Sequence, residues 1–322
     1  MKLLVLGGTV FLGRHVVQQA LAAGHEVTLL HRGQHGAGLF PQARTLRGDR
    51  DGDMSALHGQ RFDAVIDCSG YTAPQLRRSA QALAEGAGHY VFISSISVCA
   101  AFPPHRRFDE AAPVAAGDEG YGAGKARAEE AIEAALPGAV AHVRPGLIVG
   151  PHDPTGRFTY WVRRAARGGA MLAPGRPQRS VQFIDVRDLA QWCLQLAQQR
   201  VAGVFNAVGP DLTMAEFLAH CGAAAGNDAH PVWASDEHLL AADVEPWTGL
   251  PLWIPESDAE FGGMLLADNH RAVAAGLRTR PVSETVTDTL AWARAEPVAA
   301  TGSVAALPPE REAQLLAGLA RA

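Results

Sequence analysis

The chain has 322 residues, 48% of them hydrophobic, with a formal charge of −5 and a pI of about 6.2. That length supports one large α/β domain or two coupled lobes around a substantial core. The mild acidic balance carries no electrostatic footprint for nucleic acid or an anionic membrane, so neither is an expected partner. Cys68, Cys99, Cys193 and Cys221 are scattered without metal-type pairing, which predicts reduced thiols, a cytoplasmic location and no bound metal. Lys2 followed by Leu3 to Leu6 mimics a signal sequence, but Gly7 and Gly8 interrupt the run and polar residues follow at once. No later run is long and apolar enough to span a bilayer, so the chain reads as soluble.

Lys2 to Leu6 is a short apolar run of buried-strand type, followed by Gly7-Gly8-Thr9-Val10-Phe11-Leu12-Gly13. A helical pattern then runs through Val16, Val17, Ala20 and Leu21 to Gly24, and Glu26 to Leu30 is the next strand. A strand, a glycine turn, a helix and a strand open a dinucleotide-binding fold. Gly7 permits the tight turn, the backbone of Thr9, Phe11 and Leu12 at the helix start faces a pyrophosphate, and Gly13 lets helix and strand pack closely. An ordinary Gly-rich turn is the plainer alternative. A carboxylate after the second strand would bind the ribose 2′-hydroxyl of NAD; this chain has His31-Arg32 there. Arg32 suits a 2′-phosphate, so NADP(H) is favoured with NAD(H) as the other option, against the plainer reading of a solvated loop arginine.

Thr45-Leu46 leads into Gly48-Asp49-Arg50-Asp51 as a third strand and its turn. Asp63 to Asp67 is a fourth strand, closing at Cys68-Ser69-Gly70, where small residues let a cofactor cross and Ser69 is a candidate contact. Residues 74 to 85 read as a helix and Tyr90 to Ser94 as a fifth strand. This alternation predicts an α/β protein with a Rossmann-type, doubly wound parallel sheet and ligands at the carboxyl ends of its strands. A serine in Ser94-Ser95-Ile96-Ser97, at the end of the fifth strand, can hydrogen-bond a substrate carbonyl.

Tyr121-Gly122-Ala123-Gly124-Lys125 opens a run of good helix formers, so Tyr121 and Lys125 share a face. An ammonium beside a phenol lowers its pKa toward neutrality, which makes Tyr121 a candidate general acid/base. A solvated helix face is the competing reading. Ala141 to Leu147 is a further strand, and Val181 to Val186 and Val204 to Ala207 return to strand character. The expected organisation is a dinucleotide-binding domain over 1–150, joined by segments near 181–190 and 203–208. Residues 151–322 form a smaller substrate lobe, with a terminal helix near Glu310 to Leu319.

These motifs, in this order, resemble the extended short-chain dehydrogenase/reductases, the NAD(P)-dependent epimerase/dehydratase group, over roughly residues 1–295. The markers are the Gly7 to Gly13 turn, Gly48-Asp49, Phe92-Ile93-Ser94-Ser95, Tyr121-x-x-x-Lys125, Arg144-Pro145 with Val149-Gly150-Pro151, and Phe183-Ile184-Asp185-Val186-Arg187-Asp188. The resemblance implies Tyr121 as acid/base, Lys125 as the ribose ligand that tunes it, and Ser95 as the catalytic Ser/Thr. It also implies nicotinamide contacts at Pro145 and Leu147, adenine contacts at Asp49 and Arg50, and a homodimer through two exposed helices. Val10 stands where the family turn usually has glycine, as in an atypical branch that includes proteins similar to the chloroplast stem-loop-binding group. Ile96-Ser97 replaces the Asp-Glu pair of dehydrating members. Val181 replaces an arginine that holds diphosphates, although Arg179, two residues earlier, can face the same way as a substrate contact.

The reading that follows is an NADP(H)-dependent oxidoreductase acting on a small carbonyl or alcohol. An NAD(P)-dependent sugar or sugar-nucleotide epimerase is the alternative. A non-catalytic cofactor-binding protein with an RNA or protein partner is a further one, opposed by the acidic charge.

Overall fold

Buried apolar runs of four residues, Leu3 to Leu6 first among them, are covered on both sides, as a central parallel sheet requires. The computed structural model describes residues 1–36, 38–83, 86–117, 119–297 and 306–321. The first half runs β1 (Lys2–Leu6), α1 (Leu12–Ala22), β2 (Glu26–His31), β3 (Arg44–Arg47), β4 (Ala64–Asp67), α2 (Ala73–Ala82), β5 (Tyr90–Ile93), α3 (Tyr121–Ala135) and β6 (Val140–Pro145). It continues through β7 (Leu147–Val149), α4 (Arg157–Ala166), β8 (Ala170–Pro174), β9 (Ser180–Val181), β10 (Phe183–Asp185), α5 (Val186–Gln199) and β11 (Gly203–Ala207). Then come β12 (Leu212–Thr213), α6 (Met214–Ala225), β13 (His230–Ala234), α7 (Asp236–Ala241), α8 (His270–Ala274), α9 (Val282–Ala295) and α10 (Pro309–Leu319).

The main sheet has seven strands in the order β11-β6-β5-β4-β1-β2-β3, all parallel. The order in which the strands are added reverses between β1 and β4, which opens a crevice at their carboxyl ends. Leu3, Val5, Leu29 and Ile66 point to the face covered by α1 and α5, while Leu4, Leu6, Val65 and Phe92 point to the face covered by α2 and α3. The fold is therefore the doubly wound Rossmann type expected from the alternation of elements. Gly13 is required for it: a Cβ there would lie 2.0 Å from the Gly7 carbonyl oxygen.

A second core joins Phe158 and Trp161 of α4, Phe217 of α6, Trp253, Leu290 of α9 and Leu315 of α10. Glu312 fastens α10 into it, accepting from Arg164 Nε at 2.6 Å and from the Leu172 backbone N–H at 3.0 Å.

Three expected elements differ. The strand over Ala141 to Leu147 breaks at Gly146, and β7 leaves the main sheet to pair with β10. The strand over Val181 to Val186 divides at Gln182, whose side chain turns inward to Ala267 O at 3.0 Å and Ala267 N at 3.1 Å. Asp185 then caps α5 by accepting from the Arg187 backbone N–H at 2.8 Å, so Val186 is already helical. The helix expected over 74–85 begins at Ala73, and residues 84 and 85 lie outside the described residues. Among the described residues no helix is long and apolar enough to cross a membrane.

Candidate active site

Above the ends of β1, β2 and β4 lies an open cleft of about 220 Å³. Its lining brings together Gly7, Thr9, Arg32, Asp49, Arg50 and Ser69, with Val10, Tyr71 and Gln75 beside them. Gly7 holds a φ of 82°, and a Cβ on it would lie 2.6 Å from the Ser69 Cβ, so this cradle exists only with glycine. Such an amide-lined turn at a helix start fits a pyrophosphate. The exposed Val10 side chain stands at its rim. Phe11 caps α1 and Leu12 is its first residue; both side chains pack toward the core, leaving their backbone at the helix start.

The two arginines of the cleft behave differently. Arg32 is exposed and makes no ion pair among the described residues. Arg50 turns inward, donating to both Asp67 carboxylate oxygens at 2.5 and 2.7 Å and to Ser79 Oγ at 2.8 Å. Asp67 is fully buried and also accepts from the Tyr90 hydroxyl at 2.6 Å. Burial pushes the Asp67 carboxyl up, but the Arg50 charge and these hydrogen bonds outweigh it and hold the group below its ordinary value. Arg50 is thus committed to the protein interior on one side while its edge borders the cleft.

The second cluster forms where α3 begins. Gly122 allows α3 to lie against the turn after β5, since a Cβ there would meet Ser97 O at 2.0 Å. This close approach brings the Tyr121 phenol to Ser95. Ser95 Oγ accepts from the Ser97 backbone N–H at 3.0 Å, which leaves its own O–H to donate. Lys125, one turn along, is buried and donates from Nζ to Gly70 O at 2.6 Å and Ile93 O at 2.7 Å. Its ammonium lies 5.9 Å from the centre of the Tyr121 ring, 5.1 Å from Phe92 and 4.8 Å from Tyr71. Burial brings the Lys125 pKa down to about 8.

The expected lowering of the Tyr121 pKa by Lys125 is corrected. Burial raises it above its ordinary value, opposed by the Ser95 hydroxyl. The ammonium stands 5.9 Å from the Tyr121 ring centre with its hydrogen bonds made to two backbone carbonyls, and burial sets the direction of the shift. Tyr121 remains 56% exposed, so solvent screens part of the rise.

Pro145 is buried at the end of β6 and Leu147 half-buried at the start of β7, and neither lines the cleft of Gly7. Arg179 is buried elsewhere, on a cavity of about 220 Å³ shared with His105, Arg107, Arg176 and Glu256. No hydrogen bond ties it to Ser95 or Tyr121; it donates to Ile254 O and, at 3.4 Å, to Asp236.

Sequence reasoning missed Tyr71, Asp67 and Tyr90. For Tyr71 a positional signal existed, as the first large residue after Cys68-Ser69-Gly70. It also passed over composition: Lys125 is one of only two lysines in the chain. In a protein that otherwise uses arginine for its permanent cations, a buried lysine supplies what guanidinium cannot, a compact ammonium with a movable pKa.

Sheet order, glycine turn and the cleft where the strand order reverses define a doubly wound α/β fold of the dinucleotide-binding type. The chain belongs to the NAD dependent epimerase/dehydratase family, whose sequence profile matches residues 3–208. It is similar to the Arabidopsis thaliana chloroplast stem-loop binding protein of 41 kDa b, at 26% identity over 250 residues. That match covers 71% of this chain and 64% of the plant protein, so the chain spans under two thirds of that relative. The fold is shared with the Bordetella bronchiseptica enzyme WbmH, solved in complex with NAD+ (TM-score 0.65, 16% identity, 91% of this chain and 98% of that one). It is shared too with the Thermotoga maritima UDP-glucose 4-epimerase, solved with UDP-glucose (TM-score 0.68, 17% identity, 92% of this chain and 100% of that one).

Proposed function

We propose that the protein is an NADP(H)-dependent oxidoreductase that moves hydride to or from a carbonyl or alcohol carbon of a small molecule. The observation that carries this reading is the convergence of Ser95, the Tyr121 phenol and the Lys125 ammonium at the start of α3. A nicotinamide bound along the Gly7 cradle would supply the hydride chemistry. Ser95 donates to the substrate oxygen. Tyr121, a phenol that is protonated at neutral pH, delivers its proton as that oxygen gains charge. Lys125 holds a positive charge beside the phenol and stabilises the phenolate left behind. A phenol that rests protonated suits reduction, whereas oxidation must begin by removing that proton.

Arg32 supports the NADP preference, being exposed in the cleft where NAD-specific folds place a carboxylate. A cytoplasmic location belongs to the same reading and is supported by four free cysteines. So does a substrate lobe beyond residue 150, supported by the second core, and a homodimer through the exposed groove between α2 and α3. Light scattering tests the dimer.

The second reading is epimerisation of a sugar or sugar nucleotide, favoured by the UDP-glucose held in the Thermotoga maritima structure. An RNA-binding role is opposed by the charge of −5, although the Arabidopsis thaliana relative is named for stem-loop binding. The deciding experiment is to denature the purified protein, assay the supernatant for nicotinamide, and titrate the emptied protein with NADPH and NADH. Much tighter NADPH binding supports the reductase. Stoichiometric NAD(H) in the supernatant supports the epimerase and overturns the role given to Arg32. Affinity for neither cofactor overturns both.

A further inference from the structure

The Lys125 ammonium occupies a small chamber. Two of its N–H groups are spent on Gly70 O and Ile93 O, and aromatic rings form the remaining walls. Phe92 is fully buried and belongs to β5; Tyr71 is 52% exposed and forms the wall between the ammonium and the cleft. The fit of that wall is built in. Gly124 of α3 faces the Tyr71 carbonyl, which a Cβ there would approach to 3.3 Å. The Tyr71 backbone N–H donates to Gln75 Oε1 at 2.9 Å, and the Gln75 amide reaches both Asp51 carboxylate oxygens at 3.1 Å, on the rim of the cleft. Tyr71 is therefore a cleft-lining residue whose ring also lies against the Lys125 ammonium, and Gln75 ties it to the far rim.

We propose that Tyr71 is a positioning residue of this site: its ring closes the Lys125 chamber on the solvent side and holds the ammonium facing Tyr121. An aromatic face does this better than an aliphatic side chain, because its electron-rich surface attracts a cation that has lost its water. The hydroxyl is not needed, so phenylalanine substitutes for tyrosine and leucine does not. This role rests on the reading of Tyr121 and Lys125 as the reacting pair, but it can be measured without turnover.

With only Lys2 and Lys125 in the chain, Lys2 serves as an internal reference for amine labelling. The experiment is trace acetylation of the intact, cofactor-free protein across a pH series, read by mass spectrometry, on wild type, Tyr71→Phe, Tyr71→Leu and Tyr71→Ala. Asp67, Cys68, Arg50, Glu129 and Tyr121 face the ammonium and are the same in all four proteins. Wild type and Tyr71→Phe are expected to label Lys125 slowly relative to Lys2, with a midpoint near 8. Tyr71→Ala is expected to label it about tenfold faster at high pH, with the midpoint moved up toward the ordinary lysine value of about 10.4. Tyr71→Leu, which keeps the chamber closed but removes the π-face that favours the cation, is expected to move the midpoint below that of wild type, opposite to Tyr71→Ala, and guards against loss of folding in the alanine variant. Turnover should fall about tenfold in kcat with little change in KM, and return in Tyr71→Phe. The proposal is overturned if Tyr71→Leu matches wild type, or if Tyr71→Phe matches Tyr71→Ala. A wild-type protein with the expected labelling but no hydride transfer would sink the function and leave the chamber standing.

Discussion

Lys125 and Arg179 are both buried cations with 3% of their surface exposed, yet the protein treats them in opposite ways. Lys125 makes no ion pair among the described residues; its charge rests on two carbonyls and aromatic rings. Around Arg179 every lining arginine has a carboxylate: Arg179 with Asp236, Arg176 bidentate with Glu256, and Arg107 bidentate with Asp211. A cation without a counter-charge is costly to bury, and its depressed pKa records that cost. Such a site retains unspent attraction for polar groups of a ligand. In the second cavity each arginine already faces a carboxylate, so a diphosphate would have to compete with those groups, although the buried Arg179 Nε lacks a partner among the described residues and burial lowers the Arg179 pKa as well. Charge near a cavity is thus a poor guide to what the cavity holds until its partners are counted.

The largest expected effect comes from the reacting phenol. Tyr121→Phe should lower kcat by about 10²–10⁴-fold while leaving the Kd for NADPH unchanged. Loss of both in equal measure would make Tyr121 structural and remove the contrast between the two cations.

Next is the anchor beneath the cleft. Asp67→Asn strips the charge from a buried pair and should cost about 3–5 kcal/mol in urea unfolding. The pH dependence follows from the sign of the shift. The folded Asp67 carboxyl lies below its unfolded value of about 3.9. Its stabilisation is therefore present above about pH 4 and is lost as pH falls through the folded value. The variant should lack that acid-side loss; an identical acid profile would show that Arg50 does not depend on this carboxylate.

A smaller effect tests the unpaired state of Lys125. Below a pH of about 8 the free enzyme presents an ammonium, and above it an amine. Cofactor affinity should weaken as pH rises through this value, approaching about tenfold per unit. Lys125→Met should bind weakly with no such slope. A slope that survives the substitution would assign the titration to another group.

The smallest effects belong to the second cavity. Arg107→Gln and Arg176→Gln break solvent-exposed pairs, and each should change stability by about 1 kcal/mol or less and substrate KM by less than about fivefold. A KM increase well beyond tenfold would mean that these pairs open for an anionic substrate, and would overturn the contrast drawn from them.

What the sequence by itself determined is whatever is encoded in short windows. Backbone demands are local, so Gly7 to Gly13 announced the turn, and the alternation of apolar runs with helical periods announced the parallel sheet. Helical spacing likewise put Tyr121 and Lys125 on one face. The atypical Val10 was legible, and it does stand at the cleft rim. Tertiary structure decided the partners of side chains, because those come from strands far apart in the chain. The Lys125 acceptors Gly70 and Ile93 lie 55 and 32 residues away, and the burial that raises the Tyr121 pKa comes from the tertiary packing around the start of α3. Arg50 looks inward because β4 and β5 place Asp67 and Tyr90 beneath it. Gln182 splits an apparently continuous strand because Ala267, 85 residues on, offers its backbone. Periodicity reports which face of an element is buried; it carries no information about which distant group waits there.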